Sequence, residues 1–377
     1  MSNQNEDNQV SLSALFTPEA LSLLTATGKD VIKRIGIDVI RGVVLDVLTG
    51  RNIRNSTEIL TRRRVAALNL ATVNMFLRGS ELFENFIERL PYIASDNLSA
   101  GNLNKEERWL AQWVLGLTDK GVQNILRDDF QLLSGYRESY IETCREVIAK
   151  HIQESDSLTG YLSLGTDVSV QINWLFIVYL LNTIGAQTLT IRGSDKSTYG
   201  KLFEKLVLGS LLHILDFEFR KSGELDKPDQ VFWLSSSDDK RESDATLLYE
   251  AGKGVRFDIG FIGRGNTEIS LDKVSRYQHE IQFGREKWYM ATIIIVDRIG
   301  PKSGIEKLAQ DINGTIVQMS AGYWPQRVAR TLNQRLGFNH PLLSIEQAEI
   351  DDYLKAKLQD VPLETFIDVA SQEHEEE

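Results

Sequence analysis

The sequence predicts a helical N-terminal domain joined to an α/β domain with a central mixed β-sheet flanked by helices. Three observations carry this. Apolar residues recur three and four apart through the first half, which is the helical period. Short β-branched runs take over in the second half. Helical patterns then alternate with those runs, the order expected of an α/β sheet. The expected divisions are a polar tail over 1–10, the helical domain over 11–165, the α/β domain over 166–367 and an acidic tail over 368–377.

In chain order, Val31 to Leu48, Ile59 to Leu77, Trp109 to Leu117 and Phe130 to Ile152 carry the helical spacing. Asn55 with Glu58, and Asn104 with Glu107, have the spacing of a helix cap in which two orphan donors are satisfied reciprocally. Val168 to Gly185 is apolar on every side and reads as one buried helix, followed by a polar loop and a second helix from Tyr199 to Leu215. Strand-like runs follow at Val231 to Leu234, Ala245 to Glu250, Val255 to Ile262, Met290 to Val296 and Thr315 to Met319. The run "MATIIIVD" is too apolar for an edge and should sit centrally, buried on both faces. Helical patterns at Leu271 to Ile281, Ile305 to Ile312 and Trp324 to Leu336 alternate with these strands. From Tyr199 the order is helix, three strands, helix, strand.

Composition excludes several function classes. The 377 residues are 42% hydrophobic and 25% charged, which is ordinary for a globular chain. The single cysteine, Cys144, excludes an internal disulfide and any multi-cysteine metal cluster. No signal-peptide pattern opens the chain, and the longest apolar run, Trp174 to Leu181, falls far short of the roughly 20 residues that a bilayer needs. An intracellular protein is expected. Formal charge is 42 minus 53, or −11, but Glu6, Asp7, Glu373, Glu375, Glu376 and Glu377 supply −6 of it, leaving −5 on the body. A mildly acidic body neither requires nor forbids DNA binding; the distribution of charge decides.

The informative block is "KRESDATLLYEAGKGVRFDIGFIGRGNTEISLDKVSRY", residues 240–277. Two strands flank "AGKG", a hairpin turn in which glycine supplies positive φ. With a three-residue loop, Gly252 to Gly254, Ala251 faces Val255, and Asp244 and Asp258 share a face. A four-residue loop would separate them. Two carboxylates at short range raise each other's pKa unless a cation intervenes. An all-oxygen ligand set favours Mg²⁺ over zinc or copper. The plainer alternative is that one aspartate is simply exposed at a strand end. Glu204 lies inside the apolar helix "YGKLFEKLVLGSLLHIL", where a carboxylate needs a partner; a salt bridge to Lys201 or Lys205, or exposure, would also satisfy it. Lys273 and Arg276 can share one face of the following helix, where a lysine could hold an attacking water and stabilise charge on a phosphate.

The remaining motifs are weaker. "GFIGRGN" has the wrong glycine spacing for a dinucleotide loop and fits a tight turn. If "GRGN" is itself a hairpin turn, Asp258 and Lys273 share a face of that pair. The histidines at 151, 213, 279, 340 and 374 form no ligand spacing, and there is neither a nucleophile elbow nor a phosphate loop. Three basic segments, "RNIRNSTEILTRRR", "RGSDKSTYGK" and "YWPQRVARTLNQR", combine Arg or Lys with the polar types that hold phosphates or read base edges. The DNA-contacting candidates are Arg192, Lys196, Lys201, Arg241, Arg276 and Arg327.

The strings "TRRRVAALNLA", "RWLAQWVLGLTDK", "GAQTLTIRGSDKSTYGKLFEKLVLGSLLHIL", "FWLSSSDDKRESDATLLYEAGKGVRFDIGFIGRGNTEISLDKVSRY", "WYMATIIIVDRIG" and "QMSAGYWP" resemble the CfrBI family of type II restriction endonucleases, within the PD-(D/E)XK nuclease superfamily. The resemblance covers nearly the whole chain. It implies a PD-(D/E)XK core with Asp244 as first acid, Asp258 as second and Glu204 as the helical glutamate. The superfamily lysine would stand at position 260, which is Gly260 here. Lys273 is the candidate to supply the amine instead.

The expected function is therefore Mg²⁺-dependent phosphodiester hydrolysis in double-stranded DNA at a short palindromic site, with a target of the CCWWGG type suggested by the resemblance. Asp244, Asp258 and Glu204 would bind metal, and Lys273 would support the nucleophile or phosphate. A homodimer or larger assembly matches a two-fold site. A cognate DNA methyltransferase acting on the same site, and a cytoplasmic prokaryotic setting, complete the expectation. Two readings from other classes compete: a DNA-binding protein whose nuclease centre has decayed, and a helical interaction scaffold.

Overall fold

The computed structural model describes residues 11–24, 30, 36–127, 129–165, 168–221, 229–235, 243–261, 289–297 and 314–371. The architecture is mixed α/β, with helices in the first half and a six-stranded mixed sheet with helices around it in the second. The chain divides into two compact units, 1–26 with 59–196 and 27–58 with 197–377, and the cuts at 58/59 and 196/197 fall inside the helices Ile53–Leu82 and Trp174–Ile214.

In the first unit, helices α1 (Pro18–Leu24), most of α3 (Ile53–Leu82), α4 (Phe86–Ser99), α5 (Lys105–Val114) and α6 (Leu133–Glu154) surround one apolar cluster; α2 (Ile37–Leu48) belongs to the other unit. Leu68, Met75, Phe76, Leu90, Trp113 and Phe176 lie at its centre, none more than 1% exposed. The Asn104 cap forms as its spacing predicts, with reciprocal bonds between Asn104 and Glu107. The Asn55 cap does not. Helix α3 starts earlier, at Ile53, and it is Asn52 whose side chain accepts the Arg54 N–H at 2.8 Å.

The region after residue 160 departs from the expected helix, loop and helix. Gly160–Leu164 (β1) and Val168–Ile172 (β2) form an antiparallel hairpin. A single 41-residue helix, α7, then runs from Trp174 to Ile214. The polar stretch 192–198 continues the helix because it contains no proline, and because Ile191, Asp195, Tyr199 and Leu202 are all buried at helical spacing. Length and composition alone would let α7 cross a membrane. Its first half instead buries Phe176, Tyr179, Leu180, Ala186 and Ile191 in the helical core. Gln187 in the same stretch is fully buried, bonded to Thr72 at 2.5 Å and Asn69 at 2.8 Å.

In the second unit the sheet order is β3 (Glu218–Phe219), β4 (Val231–Leu234), β5 (Ala245–Glu250), β6 (Lys253–Gly260), β7 (Tyr289–Val296) and β8 (Gly314–Gln318). β4, β5 and β6 are antiparallel neighbours, whereas β6, β7 and β8 run parallel. The run predicted to be central is central: β7 lies between β6 and β8, and Ala291 to Val296 are buried. The two-residue β3 is too short to carry a periodic signal and is not legible in the sequence. Helices α8 (Trp324–Leu336), α9 (Ile350–Lys357) and α10 (Leu363–Ser371) complete this unit. The Trp324 indole N–H donates to the Val47 carbonyl at 2.8 Å, and Phe366 packs against Phe219 and Phe232. A Cβ on Gly209 would meet the Phe366 ring at 2.7 Å, so this glycine permits close approach of α7. The expected helices at 271–281 and 305–312 lie outside the described residues.

Candidate active site

The site is set by the β5–β6 hairpin. Its turn is tighter than expected: Glu250 pairs with Lys253 around Ala251 and Gly252, where Gly252 has φ +80°. A plain two-residue turn would continue that register, set Ala245 opposite Asp258, and send the two aspartates to opposite faces. A β-bulge intervenes. Tyr249 is the extra residue, the next pairs are Leu248↔Gly254 through Ala245↔Phe257, and Asp244 falls beside Asp258 on the same face. The predicted shared face is therefore reached by a different route from the three-residue loop that the glycines suggested.

Side-chain burial agrees with this alternation. Ala245, Leu247, Val255, Phe257 and Ile259 are completely buried and form one face of the pair. Asp244, Thr246, Arg256 and Asp258 form the other. Asp258 is buried at 7% exposure, and Asp244 is half-buried. The Ile259 backbone N–H donates to Asp244 Oδ2 at 2.8 Å, anchoring that carboxylate beside the residue that follows Asp258. The Asp244 backbone carbonyl accepts the Ser235 N–H at 3.2 Å and the Ser235 hydroxyl at 3.3 Å.

Two charged residues near this pair escaped the sequence reading. Arg256 lies two residues before Asp258 on the same face, paired with Thr246. The period-2 pattern in "VRFDIG" is the signal that would have found it. Lys205, considered only as a salt-bridge partner for Glu204, is buried at 5% exposure, and its Nζ donates to the Ser235 carbonyl at 2.9 Å. Its signal is a lysine on the buried stripe of Leu202, Gly209 and Leu212.

The other expected residues fall as follows. Glu204 is half-buried on α7. It is not gathered with the aspartates: among the described residues no group of three His, Cys, Asp or Glu side chains is close enough to hold a metal ion. Arg192, Lys196 and Lys201 are exposed on α7, and Arg327 is exposed on α8. Arg192 and Lys196, four apart, share a helical face. Gly260 is buried at the end of β6. Lys273, Arg241 and Arg276, with the "GRGN" turn, lie outside the described residues. The first basic segment loses one arginine as a DNA candidate, because Arg64 is buried, ion-paired with Asp195, and bonded to the Leu23 and Leu24 carbonyls.

The family model described as CfrBI restriction endonuclease matches residues 37–304. The type II restriction enzyme CfrBI of Citrobacter freundii is 38% identical over 354 residues, 93% of this chain and 97% of that protein. No solved structure matches the chain significantly. The family match spans the first two basic segments and the hairpin that pairs the aspartates, and the likeness to CfrBI runs almost end to end: this chain belongs to the CfrBI family of type II restriction endonucleases.

Proposed function

We propose that this enzyme hydrolyses phosphodiester bonds of double-stranded DNA with Mg²⁺ at a short palindromic site, through a PD-(D/E)XK-type centre built on Asp244 and Asp258. The observation that carries the reading is the placement of these two carboxylates side by side on one face of antiparallel strands, with Asp244 Oδ2 anchored on the Ile259 amide. Two acids in adjoining strands suit Mg²⁺, which takes one or two protein carboxylates and keeps water and phosphate oxygens for its other positions. When bound, the metal would polarise the phosphate and make water a stronger nucleophile. The order of α7, β4, β5, β6 and then β7 parallel to β6 supports the core assignment.

The chain's own residues have separate tasks. Asp244 and Asp258 hold the ion, and Glu204, outside that pair, orients water. Lys273 holds the attacking water or the phosphate in place of the amine that Gly260 lacks. Arg192, Lys196, Lys201, Arg241, Arg276 and Arg327 contact DNA, mostly through phosphates. A homodimer reads the two halves of the site, and the sequence resemblance suggests a target of the CCWWGG type. A methyltransferase of the same specificity protects host DNA, and both enzymes act in the cytoplasm. The test is digestion of phage DNA with Mg²⁺: discrete fragments are expected. Intact DNA that shifts on a gel would leave a binder without a nuclease, and no interaction would overturn the reading.

A further inference from the structure

Lys205 has no place in the roles above, yet its position is costly. Its neighbours on the same stripe of α7, Leu202, Gly209 and Leu212, are all buried, and Leu206 and Leu208 beside it are completely so. Burying an ammonium group is strongly unfavourable unless it finds good acceptors. A methionine or leucine would fill this place without that penalty. One acceptor that Lys205 reaches is the Ser235 carbonyl, at 2.9 Å, at the end of β4.

Ser235 is the residue opposite Asp244. Its N–H and its hydroxyl both donate to the Asp244 backbone carbonyl, at 3.2 and 3.3 Å. The Asp244 carboxylate in turn accepts from the Ile259 N–H at 2.8 Å. A continuous path of hydrogen bonds thus runs from helix α7 through the ends of β4 and β5 to β6, and it passes through both the backbone and the side chain of Asp244. Leu234↔Ala245 is the last ladder pair, where β4 ends and β5 begins, so Asp244 lies one residue beyond the ladder.

We propose that Lys205 is a positioning residue for the acid pair: its ammonium group, seated on the Ser235 carbonyl, fixes the strand ends that hold Asp244 beside Asp258. This rests on the reading of Asp244 and Asp258 as the catalytic acids. A displacement of about 1 Å in such a group is enough to cost on the order of 10²-fold in rate. Lys205→Met keeps the length and packing of the side chain while removing the donor.

The experiment measures amide hydrogen exchange on the metal-free full-length protein and single-turnover cleavage with Mg²⁺. In Lys205→Met, exchange at Ser235 and Ile259 accelerates while Val255, near the hairpin end of β6, is unchanged. Cleavage slows by at least about tenfold, and DNA binding in Ca²⁺ stays within about twofold because groove contacts are intact. Lys205→Arg, which keeps a charged donor, retains more protection at Ile259 than Lys205→Met does. Unchanged exchange at Ile259, or normal cleavage, overturns the role of Lys205. Acceleration that includes Val255 also overturns it, by making Lys205 a support of the whole sheet. Should Asp244→Ala and Asp258→Ala both cut normally, the acid pair itself is refuted, a result separate from the exchange pattern.

Discussion

Asp244 Oδ2 is bonded to the backbone N–H of Ile259 at 2.8 Å, so the carboxylate on one strand is tied to the residue that directly follows Asp258 on the next. A carboxylate held by a backbone amide has its rotamer fixed before any ligand arrives. This pre-organisation distinguishes the pair from two acids that merely share a strand end.

Asp258→Ala is expected to abolish cutting and leave sequence-specific DNA binding in Ca²⁺ largely intact, and Asp244→Ala should behave alike. Loss of a metal-held phosphate contact removes several kcal/mol of transition-state stabilisation, which is at least about 10²-fold in rate. Cleavage and gel-shift assays on the same preparations check both parts. Wild-type cutting by either variant would be incompatible with the assignment.

Lys273→Ala should slow cleavage by on the order of 10² or more if that amine replaces the one missing at Gly260. Lys273→Arg should rescue poorly, since a planar guanidinium cannot occupy the same point. Lys253 is the control: it is exposed at the hairpin and ion-paired with Glu250, so Lys253→Ala should cut normally.

DNA affinity should fall steeply with salt, with a slope of about −0.9 per phosphate contact on a log–log plot, and the protein should sediment as a dimer or larger. Arg192→Ala and Lys196→Ala should each make that slope shallower by about one contact. Sedimentation as a monomer, or affinity that is flat between roughly 50 and 200 mM salt, would contradict the proposed mode.

Asp195→Ala should destabilise the protein by about 3 to 5 kcal/mol, because it leaves the Arg64 guanidinium buried without its counter-charge. Urea unfolding reads the loss. A change below about 1 kcal/mol would show the pair to be dispensable.

Stability should fall as pH drops below about 6.5. Burial pushes the His340 imidazole below its ordinary pKa, and this outweighs the nearby Asp216 carboxylate, 3.2 Å away. Its Nδ1 accepts the Leu342 N–H, which requires the unprotonated nitrogen. His213 is shifted the same way, again mainly by burial. A depressed histidine contributes stability that is fully present above the unfolded-state pKa and is lost as pH falls through the folded-state value. Thermal melts between pH 8 and pH 5 check this, and His340→Gln should flatten the decline.

Elements whose periodicity was strong were legible in the sequence: Trp324–Leu336 forms over the predicted span, and "MATIIIVD" is the buried centre of the sheet. The long α7 was read as two helices because "RGSDKS" is polar, yet polarity there belongs to an exposed face, and the charge of Asp195 is satisfied by Arg64, far away in sequence. Of the candidate site, the paired aspartates were readable from alternation. The buried role of Lys205 was not, because the Ser235 acceptor is a backbone carbonyl, and a backbone group leaves no trace in a one-letter code.

The bulge at Tyr249 has a consequence for how such chains can change length. Hairpin tips usually tolerate insertion and deletion well. This one counts in twos: gaining or losing a single turn residue would turn Asp244 away from Asp258, unless the bulge vanished in the same event. A descendant of this chain can lengthen its tip freely only in pairs of residues, and a one-residue change is viable only when a second, compensating change comes with it. The most exposed part of the hairpin is thereby among the parts least free to drift.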